Sequence, residues 1–178
     1  MGAFRKLRAD EIEVRAAQVD ANKAGKVWAS LLLYKDARVD QRLLDETYGS
    51  LNWQREHTVI DGKLYCTVSI WDDSKKAWVS KQDVGTESNT EKEKGQASDS
   101  FKRACFNWGI GRELYTSPKI FIKLEDGEWK TKENSYNNKI SYQLTQTFYV
   151  FDISYDDDGN ITTLVIKDKN GNERFSRK

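Results

Sequence analysis

The sequence predicts an α+β fold in which N-terminal helices precede an antiparallel β-β-β-α core and a β-rich C-terminal extension. Three observations lead to this prediction. Apolar and polar residues alternate beside an Asp-Gly dipeptide at 61–62, an apolar stripe of helical period ends before glycines 109 and 111, and turn dipeptides recur in the last third. A chain of 178 residues can form one domain with a sizeable core, so we expect a single domain over residues 1–178.

The N-terminal part is predicted to contain two helices and one strand. An acidic start at Asp10 and a narrow apolar stripe predict a helix over residues 10–20. The apolar run 27–34 predicts a buried strand. Asp36 can then cap a second helix, which we expect to end at Tyr48 before a glycine.

The middle of the chain predicts a three-stranded antiparallel meander. Residues 53–60 and 63–72 flank Asp61-Gly62, a dipeptide that favours a two-residue hairpin turn. Side chains alternate between apolar and polar along the second strand, which indicates that one face of the sheet lies on a core. After a charged turn, residues 77–84 return as the third strand.

The third strand leads into an amphipathic helix over roughly 91–108, which completes a β-β-β-α unit over residues 53–108. Thr90 and Glu93 have the spacing of a capping box, and glycines follow the last apolar residue. We expect its apolar stripe to pack on the sheet. The stripe consists of Ala97, Phe101, Ala104, Cys105 and Trp108.

The opposite face of this helix carries a polar line that has two interpretations. It could be a solvated face on which Lys102 forms a helical ion pair with Asp99. It could also contact phosphates through Lys102 and Arg103, and residue chemistry alone does not separate the two. The line consists of Gln96, Ser100, Arg103 and Asn107.

Turn signals predict that residues 123–178 form a β-rich extension. An Asp-Gly turn lies at 126–127, and strands over 148–155 and 161–167 flank the acidic turn 156–160. That turn lacks the glutamate that a calcium-binding loop requires, so we interpret it as a solvated turn.

Composition limits the classes of function. The chain has 29 basic and 28 acidic residues, so any basic surface must be local and offset elsewhere. Two cysteines, Cys66 and Cys105, lie within predicted elements, which favours a reduced, intracellular chain. The sequence contains only one histidine in addition to the two cysteines, which is too few ligands for a structural zinc site. No apolar run reaches membrane-spanning length.

Four motifs, taken together, resemble one protein family. The helix and its exit, SDSFKRACFNWGIGRELY, are similar to the signature of phage single-strand annealing proteins of the Rad-fifty-two/Rad-twenty-two type, the viral relatives of the eukaryotic double-strand-break repair annealase. The upstream segments ADEIEVRAAQVD, GKVWASLLLYKDARVDQRLLDETYGSLNWQ and GKLYCTVSIW, with a later DVG, resemble the preceding parts in order and spacing. The resemblance covers residues 10–122 and little of 123–178.

The resemblance implies a non-enzymatic annealase without catalytic residues, nucleotide, metal or cofactor. Members of the family assemble side by side into rings or helical filaments. Their β-β-β-α units line a groove that holds single-stranded DNA by its backbone and leaves the bases free to pair. The resemblance also implies a role in phage recombination and double-strand-break repair in the cytoplasm of a bacterial host. No membrane partner is expected, because no apolar run reaches membrane-spanning length. The host single-strand-binding protein and a phage exonuclease are candidate partners.

The resemblance assigns three DNA contacts by position. Lys102 and Arg103 match the Lys-Arg pair that holds the inner DNA strand. Lys63, directly after the hairpin turn, matches a lysine of an outer DNA site.

One basic position of the family is missing from this chain. The eukaryotic protein has a basic residue three positions after the Lys-Arg pair, where this chain has Phe106. Arg112, Lys26 or Lys35 could supply that charge, although Arg112 could also bind the last carbonyls of the helix. Lys92 and Lys94 are the candidates for a second lysine of the outer site.

Two other functions remain open. A passive single-stranded-DNA-coating protein would stack bases on exposed aromatic side chains, for which Tyr65, Trp71 and Trp78 are candidates. A metal-dependent nuclease could use Asp73 and Lys75 to hold an ion and assist an attacking water. That pair, however, lies in a charged hairpin turn and lacks a second carboxylate at strand spacing.

Overall fold

The computed structural model describes residues 3–86, 92–133 and 140–178, with the helix backbone alone for 92–94. Its contacts divide the chain into two units. Unit 1 contains residues 36–112 and the N-terminal residues through Lys6, and unit 2 contains residues 7–35 and 113–178. The prediction of a single domain over 1–178 stays a prediction.

The helices and strands are numbered in chain order. They are β1 (Glu13–Ala21), β2 (Val27–Tyr34), α1 (Ala37–Tyr48), β3 (Trp53–Ile60), β4 (Lys63–Asp72), β5 (Ala77–Val84), α2 (Lys92–Trp108), β6 (Ile120–Lys123), β7 (Trp129–Glu133), β8 (Ile140–Leu144), β9 (Phe148–Tyr155), β10 (Ile161–Asp168) and β11 (Glu173–Arg177). No helix within the described ranges has the length and apolar character needed to span a bilayer.

The predicted α+β class is wrong, because the chain is mostly β. Among the described residues strands far outnumber helices, and the largest structure is a nearly closed, barrel-like sheet rather than a core around a long amphipathic helix. Of the two predicted N-terminal helices only α1 forms, whereas residues 10–20 belong mainly to β1. There the pairing of β1 with β2, from Glu13 opposite Tyr34 to Ala21 opposite Val27, satisfies the backbone and outweighs a weak helical pattern.

Unit 1 contains an antiparallel meander in the order β3-β4-β5, with α2 packed on one face. Asp61 and Gly62 join β3 to β4 with φ angles of 49° and 72°, as a tight hairpin turn requires. The buried residues of this face come from β4 and α2. They are Cys66, Val68, Ile70, Phe101, Ala104 and Cys105.

Both helices of unit 1 begin and end near the predicted positions. Asp36 caps α1 by accepting a hydrogen bond from the Arg38 amide at 2.8 Å, and Gly49 follows with a φ of 82°. The helix α2 ends at Trp108, as predicted. The predicted capping box at Thr90 and Glu93 lies outside the described residues.

The end of β5 approaches α2 closely at Gly85. A Cβ atom at this position would lie 2.2 Å from the Gln96 carbonyl oxygen and 2.8 Å from the Ser100 amide nitrogen. Ser100 is itself fully buried. The packing of strand on helix therefore depends on a residue without a side chain at position 85.

Unit 2 is built on a six-stranded sheet in the order β11-β10-β9-β1-β2-β6, with β7 and β8 forming a separate hairpin. Alternate side chains of four strands point to one side and form the core of the unit. They include Val27, Ala29, Leu31, Leu33, Ile120, Ile122, Phe148, Val150, Leu164 and Ile166.

A largely buried ion cluster joins the two ends of this sheet. Arg174 of β11 bonds both carboxylate oxygens of Glu128, at 2.5 and 2.9 Å, and one oxygen of Asp168 at 3.4 Å. It also donates to the carbonyl of Lys123, the last residue of β6, at 2.8 Å. The exposed fractions of the Arg174, Glu128 and Asp168 side chains are 12%, 14% and 4%. Arg174 thus links β11 to β6 where these strands form the two ends of the strand order.

Acid is expected to weaken unit 2 through Glu128 and Asp168. The hydrogen bond from Arg174 lowers the pKa of Glu128. Burial alone would raise the pKa of Asp168, but hydrogen bonds from Asn172, Asn170 and Arg174 outweigh it and lower that pKa. A carboxylate with a lowered pKa stabilises the folded state at neutral pH and loses this contribution as pH falls below its ordinary range.

Urea unfolding midpoints of the wild type and Glu128→Gln between pH 7 and pH 3 measure this effect. Glu128→Gln should be less stable at neutral pH but lose less stability on acidification. Equal acid sensitivity of the two proteins would show that Glu128 does not contribute.

Candidate nucleic-acid interface

The predicted DNA-contacting residues are distributed over both units. Lys26 lies in the exposed turn between β1 and β2 of unit 2. Lys35 follows β2 in the same unit and is only 8% exposed. Lys94 belongs to the first turn of α2, and its side chain lies outside the described residues. The residues of unit 1 are Lys63, Lys102, Arg103 and Arg112.

The polar line of α2 faces β5 and the residue that follows it. The Asn107 Nδ2 atom donates to the Gln82 carbonyl at 3.2 Å and to Asp83 at 3.3 Å. Farther along the helix, Gln96 donates to the Gly85 carbonyl at 3.3 Å. Gln96 and Asn107 therefore bind β5 and Gly85, and the buried Ser100 donates to the Ala97 carbonyl of its own helix. These three side chains are not available for phosphates.

Arg103 is the cation of this line, and it is paired. Its Nε lies 3.3 Å from Asp83 Oδ1, and the two side chains are 50% and 23% exposed. The bond occupies one of the five N–H groups of the guanidinium. Arg103 is therefore held at the boundary between α2 and β5 while half of its side chain is exposed.

Lys102 lies on the side of α2 that faces the start of α1. Hydrogen bonds from Arg38 are the main reason that the pKa of Asp36 is lowered, and the nearby charge of Lys102 contributes. Asp99, the predicted partner of Lys102, accepts two hydrogen bonds from Thr86 at 2.9 Å. The Lys-Arg pair thus has one cation near α1 and the other near β5.

Lys63 is exposed and lies on the other face of the meander. It directly follows the Asp61-Gly62 turn and opposes Ile60. Side chains alternate along β4, and Cys66 and Val68 point toward α2, so Lys63 points away from that helix. Lys63 and Arg103 therefore lie on opposite faces of the meander, and one short stretch of DNA backbone on one face would not reach both.

Arg112 binds the C-terminal end of α2, which confirms the capping interpretation. Its Nε donates to the Phe106 carbonyl and its Nη2 to the Asn107 carbonyl, each at 2.9 Å. These are two of the carbonyls that a helix end leaves without an intrahelical partner. Capping uses only part of the guanidinium, and the side chain is exposed.

Sequence analysis missed Lys81 of β5, which lies at the same helix end. Its Nζ donates to the Asn107 carbonyl at 2.7 Å and lies 4.6 Å from the centroid of the Trp108 ring. Lys81 is opposite Val68, whose side chain packs toward α2. The alternation of apolar and polar side chains along β4 shows which face of the sheet is buried. Combined with the pairing register of β5 on β4, it could have placed Lys81 beside the helix.

The face of the meander opposite α2 carries aromatic and hydroxyl side chains. Trp71 and Trp78 are cross-strand neighbours whose rings form an edge-to-face pair with centroids 5.6 Å apart. Trp78 is 42% exposed. Beside them, Ser69 and Ser80 share a hydrogen bond of 2.8 Å. Two of the three aromatic residues considered for base stacking thus form one contiguous pair.

Asp73 and Lys75, the candidates for nuclease chemistry, have separate partners. Asp73 accepts hydrogen bonds from Trp71 Nε1 at 3.1 Å and from Lys76 at 3.4 Å. Lys75 lies 3.7 Å from Asp72. Within residues 3–86, 92–133 and 140–178, no three His, Cys, Asp or Glu side chains form a group able to hold a metal ion.

A scan of protein-family models, a search of curated proteins and a search of solved structures find no match for this chain.

Proposed function

We propose that the chain is a non-enzymatic protein that binds single-stranded DNA and anneals complementary strands without ATP. The observation that supports this function most directly is a group of cations on and beside α2, which we call the α2 basic surface. It comprises Lys81, Lys102, Arg103 and Arg112. Such a surface can attract a polyanion although the whole chain carries a net charge of only +1.

Annealing has two physical requirements that a surface of this kind can meet. Two strands of like charge must be brought together, which requires neutralisation of phosphates. The base edges must stay free, which favours contacts to the backbone over contacts to the bases. Lysine and arginine side chains presented by a helix and a strand supply backbone contacts of this type.

The order of the four motifs over residues 10–122 supports the same proposal and extends it. On the basis of that resemblance, copies of the chain associate into a ring or a helical filament. They act in phage recombination and double-strand-break repair in the cytoplasm of a bacterial host. The host single-strand-binding protein and a phage exonuclease are the proposed partners.

The double variant Lys102→Ala/Arg103→Ala is expected to abolish accelerated strand pairing. Two dye-labelled complementary oligonucleotides, mixed without ATP or metal, report pairing by energy transfer. Binding should also become less salt-dependent, with the slope of log K against log salt reduced by about 0.7 for each phosphate that the variant no longer neutralises. Lys130→Ala/Lys132→Ala removes the same charge from exposed positions on β7 and should behave like the wild type.

Wild-type protein that binds neither strand would exclude the proposed function. An unchanged salt slope in a folded double variant would remove Lys102 and Arg103 from the binding surface while leaving the function open to other residues.

A passive single-stranded-DNA-coating protein is the second candidate. The pair of half-buried Trp71 and exposed Trp78 favours it, because stacking of bases on aromatic rings is the usual mode of such proteins. The same pairing assay separates the two functions. A coating protein would bind the labelled strands and slow their pairing, whereas an annealing protein would accelerate it.

A further inference from the structure

Two cations meet on a single backbone carbonyl at the end of α2. Lys81 Nζ and Arg112 Nη2 donate to the Asn107 oxygen at 2.7 and 2.9 Å. The two nitrogens therefore lie within about 6 Å of each other, a distance at which like charges repel. Neither side chain pairs with a carboxylate in the part of the chain that the structure describes.

Capping of the helix accounts for only one of these cations. Arg112 already binds the carbonyls of both Phe106 and Asn107. The C-terminal end of a helix carries a partial charge of about −0.5, and one cation is enough to neutralise it. Lys81 reaches the same carbonyl from β5 and adds a second positive charge where a second cap is not needed.

Both cations retain hydrogen-bond donors for a ligand. Arg112 uses two of the five N–H groups of its guanidinium, and Lys81 uses one of the three of its ammonium. The Trp108 ring beside Lys81 favours a fixed position for the ammonium. Both residues are exposed. An anion with several acceptor oxygens could bond to both and relieve their repulsion.

Arg103 lies beside this pair, and its charge is offset by its ion pair with Asp83. Its partner Asp83 is two residues from Lys81 on the same face of β5. Asn107 contributes its carbonyl to the two cations and its side-chain amide to Asp83. One turn of α2 therefore connects the pair to Arg103.

We infer that Lys81 and Arg112 form a phosphate-binding site at the C-terminal end of α2, and that its ligand is a backbone phosphate of single-stranded nucleic acid. The choice of that ligand rests on the proposed function, whereas the anion site itself does not. Free inorganic phosphate has the same chemistry and is the alternative source of the anion.

Lys81→Gln is the decisive variant, because glutamine retains a donor for the Asn107 carbonyl and removes the charge. Fluorescence anisotropy of a labelled oligothymidine, titrated at several salt concentrations, should show roughly fivefold weaker binding at about 0.1 M salt. The salt slope should fall by about 0.7. Lys81→Gln/Arg112→Gln should weaken binding further. Lys76→Gln, in the β4–β5 turn, is the matched control and should bind like the wild type.

A second measurement separates this inference from the proposed function. Thermal unfolding with inorganic phosphate tests the site without nucleic acid. If wild type binds oligothymidine and Lys81→Gln binds equally well with the same salt slope, the inference is overturned and the proposed function stands. If wild type binds no oligonucleotide but phosphate stabilises it and not the double variant, the site stands as a phosphate site and the proposed function fails. If wild type binds no oligonucleotide and phosphate does not stabilise it, both the phosphate site and the proposed function are overturned.

Discussion

Replacement of Arg174 by Met is expected to lower the free energy of unfolding by about 3 kcal/mol, the lower end for breaking a buried ion pair. Methionine fills much of the same volume but leaves the Glu128 carboxylate without the two hydrogen bonds that compensate its burial. It also removes the donor to the Lys123 carbonyl, which ties β11 to the end of β6. The destabilisation should therefore appear in the unfolding of unit 2.

Urea unfolding followed by circular dichroism measures this effect. Arg177→Met removes the same charge from an exposed position of the same strand and should cost little. Arg174→Met/Glu128→Gln should recover part of the stability, because the unpaired negative charge is gone. If Arg174→Met were as mild as Arg177→Met, the ion cluster would not be a determinant of stability.

Gly85→Ala is expected to destabilise unit 1 by about 3 kcal/mol, the upper end for overpacking. The added methyl group would lie 2.2 Å from the Gln96 carbonyl oxygen, and the two atoms nearest to it belong to the backbone of α2. Relief would require a shift of the helix against β5. Such a shift would also disturb the contacts of Arg103 and Asn107 with β5 and, on the proposed function, weaken binding to single-stranded DNA.

Thermal unfolding of Gly85→Ala beside Gly127→Ala measures the cost of the clash. Gly127 has a φ of 88° but open space around its Cβ position, so alanine there should cost only about 1 kcal/mol of backbone strain. If the two variants are destabilised equally, β5 and α2 do not approach each other this closely.

Local signals in the sequence predicted the meander and α1 correctly. The two residues of the Asp61-Gly62 turn adopt the positive φ angles that this dipeptide favours, and they fix the register of β3 on β4. Asp36 caps α1 through a bond to a residue two positions away. In both cases the residues that stabilise the turn or the helix end are separated by only a few positions in the sequence. A local sequence pattern is therefore sufficient to predict them.

The error over residues 10–20 arose because a weak helical stripe outweighed the possibility of pairing with the next strand. The strand β1 pairs with β2 along its length through the short turn 22–26, and with β9 only at Glu13 opposite Tyr149. The stripe also cannot reveal the order of the six strands, since β9 begins more than a hundred residues later in the chain. The fold class depends on this sheet, so the prediction of an α+β core was wrong although the elements of unit 1 lie near their predicted positions.

The candidate site could be predicted only in part for the same reason. The motif resemblance assigned Lys102 and Arg103 on α2 and Lys63 beside the hairpin turn, and left Arg112 as one of three substitutes for a missing basic position. It could not reveal that Arg103 pairs with Asp83 or that Lys81 reaches the helix end, since both depend on how β5 lies against α2. The pairing register of β5 on β4, combined with the buried face of β4, determines which β5 side chains lie beside α2.

The strand order of unit 2 delays its completion during synthesis on the ribosome. The hairpin of β1 and β2 emerges early, but its neighbours β9 and β6 emerge only after residues 36–112 have been made. Throughout that interval both edges of the hairpin carry unpaired backbone groups, whereas the strands of unit 1 and α2 find their partners within residues 36–112. The nascent hairpin is therefore exposed to chaperones and to mispairing with strands of other chains.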